Sequence, residues 1–504
     1  MGYARALGAG VVGVAGCPVE IEADIANGLP TMRMSGLPDA ALHEAGDRIR
    51  AAITNSRLPW PDRRLTVNLL PAAQPKHGSG FDLPVACAVL AAGGAVPAAA
   101  LATRALIGEL GLDGRVRPVR GVLPMAVALA ATGVTEVVVP SGNAGEATLV
   151  PGLAIHPADD LAAVVGHLRG TRPLARTAVP APAPAPHRLD LAEVAGQELG
   201  RRALEVAAAG GHHLALLGPP GAGKTMLAER LPTVLPPLDD AAALEVTALH
   251  SLAGVLGEGA LVRHPPFQAP HHTSTLPALV GGGSGMARPG ALSLAHRGVL
   301  FLDEAPEFSG RALEALRQPL ETGRIRVRRA GGGTDYPARV QLVVAANPCP
   351  CAQVAADGLC PCTSIAKRRY TGRLSGALRD RIDIQLALLP VRAADLTASA
   401  GSEGSAAVAA RVAAARAVAA RRWAPLGCAT NAEVSGAVLR HPPYALRPAD
   451  TRQLRDRLDR GVLTARGYDR ALRLAWTVAD LDGRDRPAAD DIAEALALRT
   501  GALT

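Results

Sequence analysis

Residues 212–225 read HHLALLGPPGAGKT, and this stretch decides the fold. The short apolar run predicts a buried strand over His213–Leu217, and the glycines after it predict a tight loop. The loop fits G-x-x-x-x-G-K-[ST] at Gly218, Gly223, Lys224 and Thr225, and a helix is predicted over Lys224–Leu231. Glycines let backbone N–H groups curl around phosphate oxygens without Cβ clashes, and the helix N-terminus adds a favourable dipole. Gly218, Pro219, Pro220, Gly221, Ala222, Gly223, Lys224 and Thr225 are therefore expected to wrap the phosphates of ATP. Lys224 is expected at the β- and γ-phosphates and the Thr225 hydroxyl on Mg²⁺. The bland alternative is a chance glycine-rich turn, and the strand–loop–helix order argues against it.

Two later strands end in polar residues suited to the same chemistry. VLFLDE (299–304) puts two carboxylates after an apolar run. Asp303 is expected to hold Mg²⁺ through water, and Glu304 to polarise the attacking water. On its own this is an ordinary strand ending in acids; its weight comes from the upstream loop. LVVAANPCPC (342–351) places Asn347 at the end of the next apolar strand, where an amide can orient that water. Without its neighbours Asn347 reads as a turn residue before Pro348.

The rest of the chain is organised around this core. TAVPAPAPAPH (177–187) is an alternating Pro-Ala run, expected to be an extended spacer. It separates residues 1–170, a mixed α/β region, from a parallel-sheet nucleotide-binding core. Strands are predicted there over Val19–Ile25, Arg64–Leu70 and Glu136–Val139, and helices over Asp39–Ser56, Leu83–Ala92 and Val122–Ala131. The core is expected over 191–393 after a 171–190 linker, with strands at Gly298–Leu302 and Val340–Ala346. Residues 394–504 are expected to form a helical lid, including Ala406–Trp423 and Ala488–Arg499.

With 504 residues, the chain is too long for one core and predicts about three domains. The net charge of +8 and pI near 9.4 permit binding to nucleic acid or to an acidic surface. Aromatics are only 2%, so phosphate contact is favoured over base stacking. The longest uncharged stretch, Leu83–Thr103, contains Gly93, Gly94 and Pro97 and reads as buried helix and loop, not a membrane span. No secretory leader is recognised, and a cytoplasmic location is expected.

Cys349, Cys351, Cys360 and Cys362 form C-P-C-x₈-C-P-C, a ligand set that suits Zn²⁺; free thiols are the alternative. Cys17, Cys87 and Cys428 are isolated and expected in the core, and His271 and His272 read as polar packing or a DNA contact. RIRVRR (324–329), followed by glycines, predicts a β-hairpin. Its alternating Arg324, Arg326 and Arg328 would make one face basic and able to track DNA phosphates. A solvated charge run is the plain alternative.

SGALRDRIDI (375–384) resembles the finger segment of AAA+ ATPases of the magnesium-chelatase/MCM-like branch. The resemblance implies that Arg381 reaches a neighbouring subunit's ATP; a surface ion pair with Asp380 or Asp383 is the alternative. It also implies a sensing arginine from the lid, best matched by Arg466, with Arg470 as second choice. FQAPHHTSTLPALVGGG (267–283), PGALSLAHRGVLFLDEAPEF (289–308), VEIEADIANGLP (19–30) and GELGLDGRVRPVRGVLP (108–124) resemble the YifB/ComM family of magnesium-chelatase-like proteins across nearly the whole chain. Ala291, Ala377 and Arg379 depart from the usual family residues. The resemblance implies a homo-hexameric ATPase that drives DNA branch migration as a helicase in natural transformation. A magnesium-chelatase motor, an ATP-dependent protease and a nucleotide-gated scaffold are the competing readings. The N-terminal region is similar to the proteolytic domain of Lon, whose Ser-Lys pair is expected to be missing. Ser79, in GSGFD (78–82), sits one position early, and Lys76 is the only lysine in that region.

Overall fold

The structure is a computed structural model that describes residues 2–36, 40–72, 76, 78–178, 189–256, 260–283, 288–329, 332–351, 360–393, 395 and 402–500. Most of the Pro-Ala spacer, the middle of the cysteine loop, the start of the expected lid and the side chain of Arg328 lie outside the described residues.

The N-terminal strands are β1 (Gly2–Val12), β2 (Ala15–Ala26), β3 (Thr31–Ser35), β4 (Arg64–Leu70), β5 (Arg104–Leu106), β6 (Glu109–Leu110), β7 (Val116–Arg117), β8 (Glu136–Pro140) and β9 (Ala154–Ala158). Seven of them form one mixed sheet in the order β3-β4-β2-β1-β5-β8-β9, while β6 and β7 pair apart. In β4, Leu65, Val67 and Leu69 are buried and the residues between them are not, the period of two that sets register. Helix Asp82–Ala92 is buried along its whole length against β1 and β2. Its first residue, Asp82, is fully buried and tolerated because Arg48 donates two hydrogen bonds to it, at 2.7 and 3.0 Å. The uncharged stretch that follows leaves the helix at Gly93, and no described helix is long and apolar enough to cross a membrane.

The second sheet contains β10 (Leu214–Leu217), β11 (Phe267–Gln268), β12 (Val299–Leu302), β15 (Gln341–Ala346) and β16 (Ile384–Ala387), with a hairpin of β13 (Arg324–Arg329) and β14 (Gly332–Pro337) between β12 and β15. Its order is β11-β12-β15-β10-β16, and every pairing is parallel. All four residues of β12 and all six of β15 are buried, which explains their near-continuous apolar sequence. The strand order reverses beside β10, which opens a crevice at the carboxyl ends of the strands. Three of the loops singled out in the sequence leave β10, β12 and β15 at that edge.

The C-terminal helices Ser405–Trp423, Arg452–Asp459, Ala465–Leu481 and Ala489–Thr500 share a core with the second sheet. Trp423 is fully buried and its indole N–H donates to Asn431 Oδ1 at 2.7 Å, so its one polar atom is satisfied. Ser405 accepts from the Leu191 N–H at 2.8 Å, tying the first long C-terminal helix to the start of the core. Ser251, on helix Asp240–Ala253, donates to the buried Glu146 of the N-terminal sheet region, and Leu252 enters that region's apolar cluster. Cys87 is buried as expected, whereas Cys17 and Cys428 are only half-buried.

Candidate nucleotide site

The loop between β10 and helix Lys224–Val234 is shaped by glycines for two different reasons. At Gly218 a Cβ would lie 2.7 Å from the Leu388 carbonyl oxygen, because β10 and β16 leave the sheet side by side. Gly223 has φ of +80°, and a Cβ there would meet nothing within 4 Å, so conformation and not space selects glycine. The helix begins at Lys224, directly after it.

Lys224 is buried, and its ammonium donates to the Gly218 carbonyl at 2.7 Å, the Pro219 carbonyl at 2.9 Å and Asn347 Oδ1 at 3.0 Å. Burial pulls its pKa down, and the carboxylates of Asp303 and Glu304 pull it back up. Thr225 Oγ1 donates to Asp303 Oδ2 at 3.0 Å. Residues from three strand ends therefore meet: the loop after β10, Asp303 and Glu304 after β12, and Asn347 after β15. A hydroxyl beside a carboxylate is a donor set that fits Mg²⁺.

Glu304 has φ of +47°, a left-handed conformation uncommon for a residue with a side chain. Its backbone N–H donates to Asp303 Oδ1 at 2.9 Å, and its carboxylate is 51% exposed. Such strain at a strand end points to a functional constraint. His272 Nδ1 lies 3.5 Å from Glu304 Oε2, and its ring meets Phe308 edge-on. The His pair thus packs at the site. An HH dipeptide has no diagnostic spacing; the usable signal is that β11 ends at the same sheet edge as β12.

The arginines are placed less simply. Arg381 is only 11% exposed; its guanidinium donates to the Ala377 carbonyl at 2.7 Å and to Glu321 of the same chain. Sequence reasoning did not single out Glu321. Arg466, 73% exposed, lies 3.3 Å from Asp380. Arg470 is paired with the buried Asp383, which also faces His212 at 3.3 Å. Of the two lid arginines, Arg466 alone is exposed.

The sulfurs of Cys349, Cys351, Cys360 and Cys362 converge within 4.8 Å of one another. Three of the separations are 3.2, 3.6 and 3.5 Å. Tetrahedral Zn–S bonds of about 2.3 Å imply sulfur separations near ~3.8 Å, so the set fits zinc with small adjustments. Burial, then the Cys351 and Cys360 thiols, push the Cys349 thiol up to about 12. A dication would reverse that preference. The hairpin forms as expected, but its register sets Arg326 opposite Asp335, which it contacts at 3.1 and 3.3 Å, so the basic face is partly neutralised. The structure does not join Ser79 to Lys76. Ser79 donates to Glu109, while Lys76 donates to the carbonyls of Gly36, Leu69 and Pro71.

A five-stranded parallel sheet with a phosphate loop on its central crevice and a helical C-terminal region defines the class: an AAA+ core. Family models agree. The magnesium chelatase, subunit ChlI, model matches residues 190–396, that for subunit ChlI of Mg-chelatase residues 21–143, and the ChlI C-terminal model residues 402–499. An uncharacterised protein of Mycobacterium tuberculosis is 53% identical over 100% of both chains. YifB of Escherichia coli is 41% identical over 97% of this chain and 95% of its own. Competence protein ComM of Haemophilus influenzae is 40% identical over 97% of this chain and 96% of its own. The chain belongs to the YifB/ComM family of magnesium-chelatase-like proteins.

Proposed function

We propose that this chain hydrolyses ATP as a homo-hexameric ring in the cytoplasm and uses the energy to move DNA strands, as a branch-migration helicase in recombination or natural transformation. The observation that carries the ATPase is the convergence of Lys224, Thr225, Asp303 and Asn347 through direct hydrogen bonds. The Lys224 ammonium would exchange the Gly218 and Pro219 carbonyls for β- and γ-phosphate oxygens. Thr225 and Asp303 would hold Mg²⁺, which neutralises phosphate charge when bound. Glu304 would accept a proton from the attacking water, with Asn347 orienting that water and Arg466 sensing the nucleotide from the lid. Arg381 would leave Glu321 and Ala377 to stabilise charge on a neighbour's γ-phosphate.

DNA as the partner is supported by the net charge, the arginine hairpin and likeness to a competence protein. Arg324, Arg326 and Arg328 would follow phosphates, Arg326 after giving up Asp335. The cysteine cluster would hold one Zn²⁺ beside the Asn347 strand end. The family-model description favours a second reading, a magnesium-chelatase-type motor subunit. One experiment separates them: strand movement on a synthetic three-strand or Holliday junction by wild type and Glu304→Gln. ATP-dependent movement that Glu304→Gln abolishes supports the helicase. Junction-stimulated hydrolysis without movement favours a nucleotide-gated scaffold, and hydrolysis indifferent to DNA returns the reading to a chelatase-type motor.

A further inference from the structure

The helix Ser364–Thr371, SIAKRRYT, follows the cysteine cluster directly. Thr363 caps it by accepting from the Ala366 N–H at 3.2 Å. Its inner face is Tyr370, which is buried, with Ala366 one turn earlier and half-buried. Lys367, Arg368 and Arg369 are all exposed. At about 100° per residue these three fan across roughly 200° of the circumference opposite Tyr370. Among the described residues none of the three has an ion-pair partner, whereas Arg326 of the hairpin is paired with Asp335. Among the described residues, these are three adjacent exposed cations without an ion-pair partner on one helix.

The helix is also fastened to the nucleotide site. Burial first, and then the negative charges of Glu307 and Glu304, push the Tyr370 phenol up to about 12, so the ring sits within their field. Two residues beyond the helix, Arg373 donates to the Pro306 carbonyl at 3.2 Å and to Glu307 at 3.1 Å. At its other end the cluster's buried Cys349 lies two positions after Asn347. Cys349 therefore sits beside the strand end that carries Asn347, and Arg373 contacts the turn that follows Glu304.

We propose that Lys367, Arg368 and Arg369 form a DNA-phosphate contact surface, distinct from the β13–β14 hairpin, on a helix that Arg373 anchors to the turn after Glu304. The inference rests on the reading of this chain as a DNA motor and names a second place where DNA would touch it. Phosphate contacts are read in the salt dependence of affinity, since each contributes about 0.9 to the slope on duplex and about 0.7 on single strands.

The test is binding of a labelled three-strand junction by the full chain, from about 50 to 200 mM salt. Wild type is compared with the triple variant Lys367→Ala, Arg368→Ala, Arg369→Ala. The slope of log affinity against log salt should become shallower by roughly 2 to 3 in the triple variant. Arg368→Lys with Arg369→Lys, which keeps both charges, should retain the wild-type slope. If the triple variant is poorly folded, Arg368→Gln alone should lower the slope by roughly 1. A wild-type slope in the triple or single neutralised variant overturns the inference while leaving the DNA reading intact. Absence of salt-dependent binding by wild type overturns both.

Discussion

Lys76 and Lys224 are both buried, both lowered in pKa by burial, and both hold three acceptors. They differ in what those acceptors can do. Lys76 binds three main-chain carbonyls, those of Gly36, Leu69 and Pro71, two of them at or next to the end of a core strand. Lys224 binds two carbonyls of a glycine-bent loop and one side-chain amide, beside two carboxylates at an open sheet edge. A buried cation with fixed partners is structural, while one with exchangeable partners is poised for a ligand. Burial and lowered pKa do not separate the two cases; the identity of the partners does.

On the proposed finger role, Arg381 extends the comparison to a third cation, one that would exchange Glu321 and the Ala377 carbonyl for a neighbour's phosphate. Arg381→Ala should lower ATP turnover by about 10³-fold while leaving nucleotide affinity near wild type. Turnover should recover partly when this variant is mixed with Lys224→Ala chains, because each supplies what the other lacks. Mixed rings no more active than either variant alone would show that the site is not shared. Lys76→Met should do the reverse. Leaving three carbonyls without their donor costs roughly 3 kcal/mol, a fall of roughly 6–12 °C in melting temperature, with ATP turnover retained below it. An unchanged melting temperature would mean that water replaces the ammonium and that its partners are not fixed after all.

The cysteine cluster is the mildest case. Metal analysis of the purified chain should find zinc equimolar with protein, lost in Cys351→Ser with a smaller melting shift of about 2–4 °C. A folded, metal-free wild type would place the four thiols among the fixed structural groups.

Much of this was legible in the sequence because β12 and β15 are buried on both faces, so VLFL and QLVVAA stand out, while LALL of β10, buried on alternate residues, is marked by the loop after it. The helix predicted over Asp39–Ser56 is observed over Ala40–Asn55, and that over Ala406–Trp423 over Ser405–Trp423. The strand β1 was not visible, because GYARALGAGVV lacks strict alternation and is rich in glycine and alanine. Motif residues within one loop were readable from spacing. Glu321 and the contact of His272 with Glu304 were not, since each reaches its partner across the fold: Glu321 lies 60 positions from Arg381. The pairing of Arg326 with Asp335 depends on hairpin register, which the glycines at the turn leave unspecified.

The most direct test of exchangeable against fixed partners is to measure ATP turnover and melting temperature together in wild type, Lys224→Ala and Lys76→Met. Lys224→Ala should lose turnover by more than about a hundredfold with a melting temperature close to wild type. Lys76→Met should melt earlier and still hydrolyse ATP. Turnover retained by Lys224→Ala, or lost by well-folded Lys76→Met, would contradict the account.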